Sequence, residues 1–264
     1  MPVLINECDI KLVKEQAQHI IDHNIQEPIV IQTSNDAYVI KALRREQGRT
    51  WREYTSAILC SIIFRNKVSA KLLRTGNIEH EAHRLKELHH AGIKVPYVFL
   101  QTKEYIVMEY CGESVEYILR RTIDKTPLLY KIVNNLVQLH SVNQWHGGAQ
   151  IRNLTLHNNE LYRIDFEENT GNAMPLAMAQ AYDVLLCFNS LSSHIVGNQD
   201  IGPKLLTHYL NEINNVEIEK YLSTAKKYLQ KIQALTPLMT KRMRNKSDIQ
   251  QTICFINILK SCIK

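Results

Sequence analysis

Four side chains in this sequence have the types and the order needed to handle a phosphoryl group. Lys41 closes the apolar run YVIK, Glu81 lies in the stretch NIEHEAHRLKELHHAG, and Asn153 and Asp165 flank LTLHNNELYRI. A phosphoryl group in transfer needs a cation for its phosphates, a carboxylate that holds that cation in place, and carboxylate or amide oxygens to bind magnesium. Singly, each residue has a plainer reading: a surface lysine, a charge on a helix face, a cap at a strand end. The order carries the argument. A strand ending in lysine, a helix with glutamate, an apolar strand running into Gly112, a long helix, His146 followed by Asn153, a hairpin and then Asp165-Phe166 is a series that chance rarely assembles.

The segment WHGGAQIRNLTLHNNELYRIDFEE, residues 145–168, also holds the difficulty. Between His146 and Asn153, where such a loop places the aspartate that takes the acceptor's proton, the residue is Gly148. General-base assistance contributes about 10²–10⁴-fold, whereas positioning and electrostatics carry most of phosphoryl transfer. Losing that carboxylate slows such a site without ending it. Gln150, Arg152, Glu167 and Glu168 stand close enough in sequence to supply part of what is missing. The pair Gly147-Gly148 also has a bland reading as a tight turn.

The elements that must position these residues follow from periodicity. Asp9 caps a helix running to about Asn24, with Ile10, Val13, Ala17 and Ile20 on one face. Ile29–Gln32 and Tyr38–Ala42 read as a hairpin that ends near Lys41. Residues 49–74 mix cationic and apolar residues; they predict a helix over Trp51–Phe64 packed on a smaller lobe, with a membrane or docking surface as the second reading. Ile78, Ala82, Leu85 and Leu88 form one side of a helix stopped by Gly92, and IKVPYVFL and EYIVMEYCG read as two strands. Beyond Gly112 the pattern turns helical, with Thr126 as N-cap and Pro127 at the first helical position of a long helix. Strands at about Leu154–His157 and Leu161–Ile164 interrupt it, turning at NNE. Helices then follow over Ala177–Leu191, Pro203–Asn214 and Glu217–Leu235, and a last one carries Ile249, Ile253, Ile256 and Ile263 in a stripe.

This is the element order of an α+β protein with two lobes: an N-lobe over 1–111, with an antiparallel sheet, an N-terminal helix and the inserted segment 49–74, and a helical C-lobe over 112–264 carrying the catalytic-loop hairpin 146–166. A chain of 264 residues can bury a core of that size. The formal net charge of +6 is dispersed apart from KRMRNK at 241–246, which argues against a nucleic-acid partner. Six cysteines form no C-x-x-C pair, and MPVLINECDIK lacks the basic and apolar regions of a signal peptide, so a reducing, cytoplasmic setting is expected. The helix over 78–90 carries His80, His83, His89 and His90, but HEAHR misses the H-E-x-x-H metalloprotease spacing by one residue and reads first as a solvated face.

On the motifs YVIK, EHEAHRLKELHHAGIKVP, VMEYCG, HGGAQIRN, IDFEE and YDVLL, the chain resembles the protein-kinase-like superfamily over residues 28–191. Within it, the likeness is to the compact branch that includes lipopolysaccharide-core sugar kinases, the KEOPS-complex kinase, RIO kinases and aminoglycoside phosphotransferases. The resemblance implies an ATP/Mg²⁺-dependent phosphotransferase. In it Lys41 and Glu81 are the nucleotide-site ion pair, and the backbone of Glu109, Tyr110 and Cys111 meets the adenine. Asn153 and Asp165 hold metal, Asp183 braces the catalytic loop, and Asp165, His146 and Arg152 are the catalytic candidates. The turn QTSNDAY departs from the family pattern in having no glycine, and Gly148 departs in place of the aspartate.

The acceptor that resemblance to this branch implies is a small molecule, a sugar or a lipid-linked glycan, and only eighteen residues separate Asp165 from Asp183, which leaves no long peptide-docking segment. The expected protein is a monomer. A second reading is a pseudokinase serving as a nucleotide-binding or regulatory module, and transfer of AMP instead of phosphate is an alternative chemistry. A third is peripheral attachment to the inner membrane through Trp51–Phe64 and the basic knot.

Overall fold

The computed structural model describes residues 5, 7–25, 27–33, 36–43, 60–66, 68, 78–196, 198, 200–234 and 246–263. Its contacts divide the chain into two compact units. The first comprises Met1–Arg49, Thr75–Gly112 and Thr155–Glu167; the second comprises Thr50–Arg74, Glu113–Leu154 and Glu168–Lys264.

In the first unit, α1 (Glu7–Asp22) precedes β1 (Ile29–Gln32) and β2 (Ala37–Ala42), and α2 (Ile78–His90) precedes β3 (Val98–Gln101) and β4 (Tyr105–Glu109). The four strands form one antiparallel sheet in the order β1-β2-β4-β3. Side chains alternate along a strand. Tyr38 and Ile40 of β2 therefore share the face that packs on Val13, Ala17 and Ile20 of α1, while Lys41 turns to the other. Tyr38 Oη donates to Asp9 Oδ2 at 3.2 Å, so the aspartate expected as a helix cap ties helix to sheet. The apolar side of α2 buries Ile78, Ala82, Leu85 and Leu88, and Gly92 ends it with φ +77°. That left-handed conformation suits glycine after a helix.

The hairpin of β5 (Leu154–His157) and β6 (Glu160–Arg163) turns on Asn158 and Asn159, with φ of +48° and +63°. Two left-handed residues are what a two-residue hairpin turn requires, and Asn tolerates them. The Arg163 amide donates to Lys94 O at 3.0 Å, which fixes the strand leading to Asp165 against the residues before β3.

The second unit holds α3 (Val115–Arg121), α4 (Thr126–Ser141), α5 (Leu176–Ser192), α6 (Ile201–Ile213), α7 (Val216–Ala234) and α8 (Ser247–Cys262). Apolar residues surround α5, which buries Met178, Ala181, Val184, Cys187, Phe188 and Leu191. The start of α4 differs from the expected cap. Lys125 occupies the N-cap, its carbonyl accepting the Leu129 amide at 2.9 Å; a lysine side chain has no acceptor to cap with, and the Thr126 amide is held by Asp124 Oδ1 at 3.0 Å. Residues 60–64 are helical; the rest of the helix expected over Trp51–Phe64, and residues 241–245 of the basic knot, lie outside the described residues. No described helix is long and apolar enough to cross a membrane.

Candidate functional site

Three carboxylates converge on one ammonium in the first unit. Lys41 Nζ lies 2.8 Å from Glu81 Oε2, 3.0 Å from Asp165 Oδ1 and 2.8 Å from Glu167 Oε1. A lysine ammonium has three N–H donors, and each has an acid to meet. Burial alone would lower the Lys41 pKa, but the three carboxylates outweigh it and hold the group above the usual lysine range. Burial pushes the Glu81 carboxyl up, against the pull of Lys41. Three carboxylates against one ammonium leave a formal excess of two negative charges.

Local structure explains this convergence. Strand alternation turns Lys41 away from α1, and the first turn of α2, where a carboxylate also meets the helix dipole favourably, supplies Glu81. Phe166, 1% exposed, anchors the chain after β6 between Asp165 and Glu167. Asp165 has φ +68°, a left-handed conformation uncommon outside glycine and often stored at functional sites. Its side chain is 46% exposed, against 12% for Glu167.

At Glu109 to Cys111 the sheet has already taken two of the amides. Glu109 N–H donates to Tyr97 O at 2.9 Å and Tyr110 N–H to Ala37 O at 3.2 Å, which leaves the Cys111 amide unused by the sheet. Gly112 follows with φ +84°, and a Cβ there would overlap the Leu156 carbonyl.

The loop over His146–Asn153 belongs to the second unit. Asp183 on α5 is fully buried and accepts the His146 amide at 2.6 Å and the Gly147 amide at 2.8 Å. His140 Nε2 stands 3.4 Å from the same carboxylate, and its Nδ1 lies 2.6 Å from Tyr209 Oη. Burial pushes the Asp183 pKa up, but the bonds and charges of His140 and His146 bring it below the usual aspartate value. One turn earlier on α5, Gln180 donates to the carbonyls of His140 at 3.1 Å and Gln144 at 3.0 Å, closing the end of α4.

The two loop glycines have different reasons to be there. Gly147 has φ +89°, and a Cβ would come 2.8 Å from Thr170 Oγ1, so the tight-turn reading accounts for it. Gly148 has no left-handed backbone, and a Cβ would come 3.2 Å from Asn153 Nδ2 and into ordinary contact with the His146 ring at 3.7 and 3.8 Å. The missing aspartate is therefore not a requirement of the turn. Gly148 N–H donates to His146 Nδ1 at 3.1 Å, so that nitrogen of the buried ring is committed to the loop. Asn153 Nδ2 donates to Gly148 O at 2.8 Å; a carbonyl can accept only from the NH₂, which leaves Oδ1 as the group pointing elsewhere. Arg152 is exposed and makes no hydrogen bond or ion pair among the described residues. Magnesium takes carboxylate and amide oxygens and keeps several waters. Asp165 and Glu167 in the first unit are donors of that kind, and Asn153 in the second unit carries an amide oxygen; no group of three or more His, Cys, Asp or Glu among the described residues could hold a metal ion unaided.

Sequence reasoning did not find Gln180, Tyr209 or the direct contact of Glu167 with Lys41. AQAYDVLL does carry a signal, since two polar residues three apart in an otherwise apolar helix share a face.

A small antiparallel sheet with one helix carrying the glutamate partner of a strand lysine, and a helical unit with a braced His-to-Asn loop, define a protein-kinase-like α+β fold. Residues 29–183, more than half of the chain, match the RIO domain, and the chain belongs to that family of atypical kinases. It is thus a member of a kinase-like phosphotransferase family. Among solved structures, the chain is similar to the streptomycin-ATP-APH(2")-IIa ternary complex, with 13% identity, a TM-score of 0.40, and coverage of 91% of this chain and 97% of that one. It is also similar to the gentamicin-APH(2")-IIa complex, with 12% identity, a TM-score of 0.40, and coverage of 94% and 98%. No curated protein matches the sequence.

Proposed function

We propose that the chain binds ATP with Mg²⁺ and transfers a phosphoryl group to a small molecule, a sugar or a lipid-linked glycan. The observation that carries this reading is the buried Lys41 ammonium with Glu81, Asp165 and Glu167 around it. Glu81 is 2% exposed and holds the lysine at 2.8 Å. Lys41 meets a phosphate only by giving up one of its carboxylates, and Asp165, the most exposed of them, is the first to exchange. Asp165 and Glu167 would hold the magnesium ion, and Asn153 offers an amide oxygen of the kind such an ion takes; when bound, the ion neutralises phosphate charge. His146 and Asp183 position the loop, and the acceptor's proton leaves without a carboxylate at position 148. Transfer is then slower by about 10²–10⁴-fold than with one.

Calorimetric titration with ATP and Mg²⁺ tests this on wild type, Lys41→Met and Asp165→Asn. Wild type should bind in a metal-dependent way, and each variant should bind at least about tenfold more weakly, the scale of one lost charge-assisted contact. Wild type that binds no nucleotide ends the reading. Mass spectrometry of acceptors then distinguishes phosphate from AMP transfer.

Gly148 favours a second reading, a nucleotide-binding module without turnover. Its signature is metal-dependent ATP binding with no product formed on any acceptor tried, including after Gly148→Asp.

A further inference from the structure

The second unit has a cationic pocket that the nucleotide reading does not use. A cavity of about 170 Å³ is lined by Phe64, Arg65, Thr224, Lys227, Tyr228 and Lys231. Four of these come from α7 at positions i, i+3, i+4 and i+7, which is one face of a helix. The face is at the surface, with Arg65, Lys227 and Lys231 exposed and Thr224 and Tyr228 half-buried. It carries two lysines and two hydroxyls, and Arg65 is brought against it from a separate segment.

Arg65 is held there by its neighbours. The Phe64 ring meets Tyr221 of α7 edge to face at 5.9 Å, and Asn66 Nδ2 donates to Tyr221 Oη at 3.4 Å. Arg65 sits between these contacts with φ +51°, just past helical residues 60–64. That position commonly takes glycine or asparagine, so an arginine there is retained against backbone preference.

Like charges gathered this way repel, and their neighbours on α7 show how such charge is ordinarily balanced. Lys220 stands 3.8 Å from Glu217, and Lys226 donates to Ile263 O at 2.7 Å. Among the described residues, Arg65, Lys227 and Lys231 make no ion pair or hydrogen bond, and the pocket lining holds no carboxylate. We propose that this pocket binds a phosphate monoester. Three cations suit a dianion, the Arg65 guanidinium can donate two parallel bonds to it, and the Tyr228 hydroxyl can donate to its oxygens, while the Thr224 hydroxyl donates to Lys220 O at 3.0 Å. The cavity is smaller than the roughly 300–1,000 Å³ that drug-sized ligands occupy, so it takes the phosphate and a few attached carbons, with Phe64 and Tyr228 as the apolar wall.

The test uses the full chain with two probes: glycerol 3-phosphate by calorimetry, and phosphatidylcholine vesicles with and without phosphatidic acid by co-sedimentation. The pocket variant is Lys227→Gln with Lys231→Gln. The control is Lys11→Gln with Lys14→Gln on α1, which removes the same charge elsewhere. Wild type, the control and Lys41→Met should bind alike, and the pocket variant should bind at least about tenfold more weakly, as expected for lost charge-assisted contacts. Arg65→Asn should lose binding to a similar degree with an unchanged or raised unfolding temperature, because Asn accepts the left-handed backbone. Binding of the soluble ester identifies a free phosphorylated metabolite, and binding confined to phosphatidic acid vesicles identifies a lipid headgroup; either supports the pocket. It is overturned if wild type binds neither probe, if the pocket variant binds as wild type, or if the control loses as much. Loss in Lys41→Met alone would assign the phosphate to the Lys41 cluster and also overturn it.

Discussion

The Lys41 cluster and the Asp183 brace are both buried ionic arrangements, yet they are balanced in opposite ways. At Lys41, three carboxylates share one ammonium, and the Asp165 side chain is 46% exposed. At Asp183, a single carboxylate with no exposure takes two backbone amides and a histidine. The first has surplus charge and one partner at the surface, so its contacts can be exchanged for phosphate and metal. The second has its bonds directed at two loop amides and the buried His140 ring, so none of its partners is exposed for exchange. One arrangement is suited to binding and the other to holding the loop's shape.

The largest expected effect comes from breaking the holding side. Asp183→Ala strands the His146 and Gly147 amides without an acceptor, and each buried donor so left costs about 1–3 kcal/mol. Removing one partner of a buried ionic arrangement costs about 3–5 kcal/mol in all. Denaturant unfolding should show a loss in that range. A loss below about 1 kcal/mol would mean that the brace adds no stability.

Gly148→Asp addresses the loop that the brace holds. Backbone conformation does not oppose it, since φ is not left-handed, and the new Cβ meets Asn153 Nδ2 at 3.2 Å and the His146 ring at an ordinary 3.7 and 3.8 Å. The variant should fold with a cost of about 1 kcal/mol or less from a shift of a few tenths of an ångström. If the proposed phosphotransfer holds, single-turnover rates should rise by about 10²–10⁴-fold. An unchanged rate would show that the acceptor's proton does not limit the reaction. The same change at Gly147, with φ +89° and Thr170 in the way, should instead unfold the loop.

What could be read in advance follows the same division. Lys41 and Glu81 were singled out by their order along the chain and by the motifs YVIK and EHEAHRLKELHHAGIKVP, and their side chains lie 2.8 Å apart. The Asn158-Asn159 turn was legible because left-handed residues leave a local signature. The Asp183 amide bonds required knowing that a loop 36 or 37 residues away in sequence returns to α5, and Tyr209 meets His140 across 69 residues. No local pattern encodes such distances. Glu167 and Glu168 read as an equivalent acidic pair, but Phe166 is buried between Asp165 and Glu167 and settles which acids face Lys41. The cap of α4 lies one residue earlier than expected, because the Lys125 carbonyl accepts the first helical bond, from Leu129, and Thr126 falls inside the helix.

Acid titration separates the two regions by sign. The Asp183 pKa is depressed in the folded protein, so its contribution is present above the ordinary aspartate value and lost as pH falls through the folded value, that is, below about pH 4. Wild type should lose stability on acidification below that point more steeply than Asp183→Asn, which has no proton to take up there. Equal slopes in the two proteins would remove Asp183 from the acid response.

The smallest expected effect bears on the binding side and asks whether its surplus charge matters. Glu167→Gln keeps the side chain's shape and removes one of the two excess negative charges while leaving Glu81 and Asp165 in place. An amide is a weaker acceptor than a carboxylate, so the third Lys41 N–H becomes easier to surrender to a phosphate oxygen. In the presence of a chelator, ATP should therefore bind the variant more tightly than wild type, by about tenfold, the equivalent of 1.4 kcal/mol. With Mg²⁺ the advantage should shrink or reverse, because Glu167 would then be a metal ligand and its loss would weaken the ion. Equal affinities under both conditions would leave Glu167 as a structural partner of Lys41 and confine the exchange to Asp165.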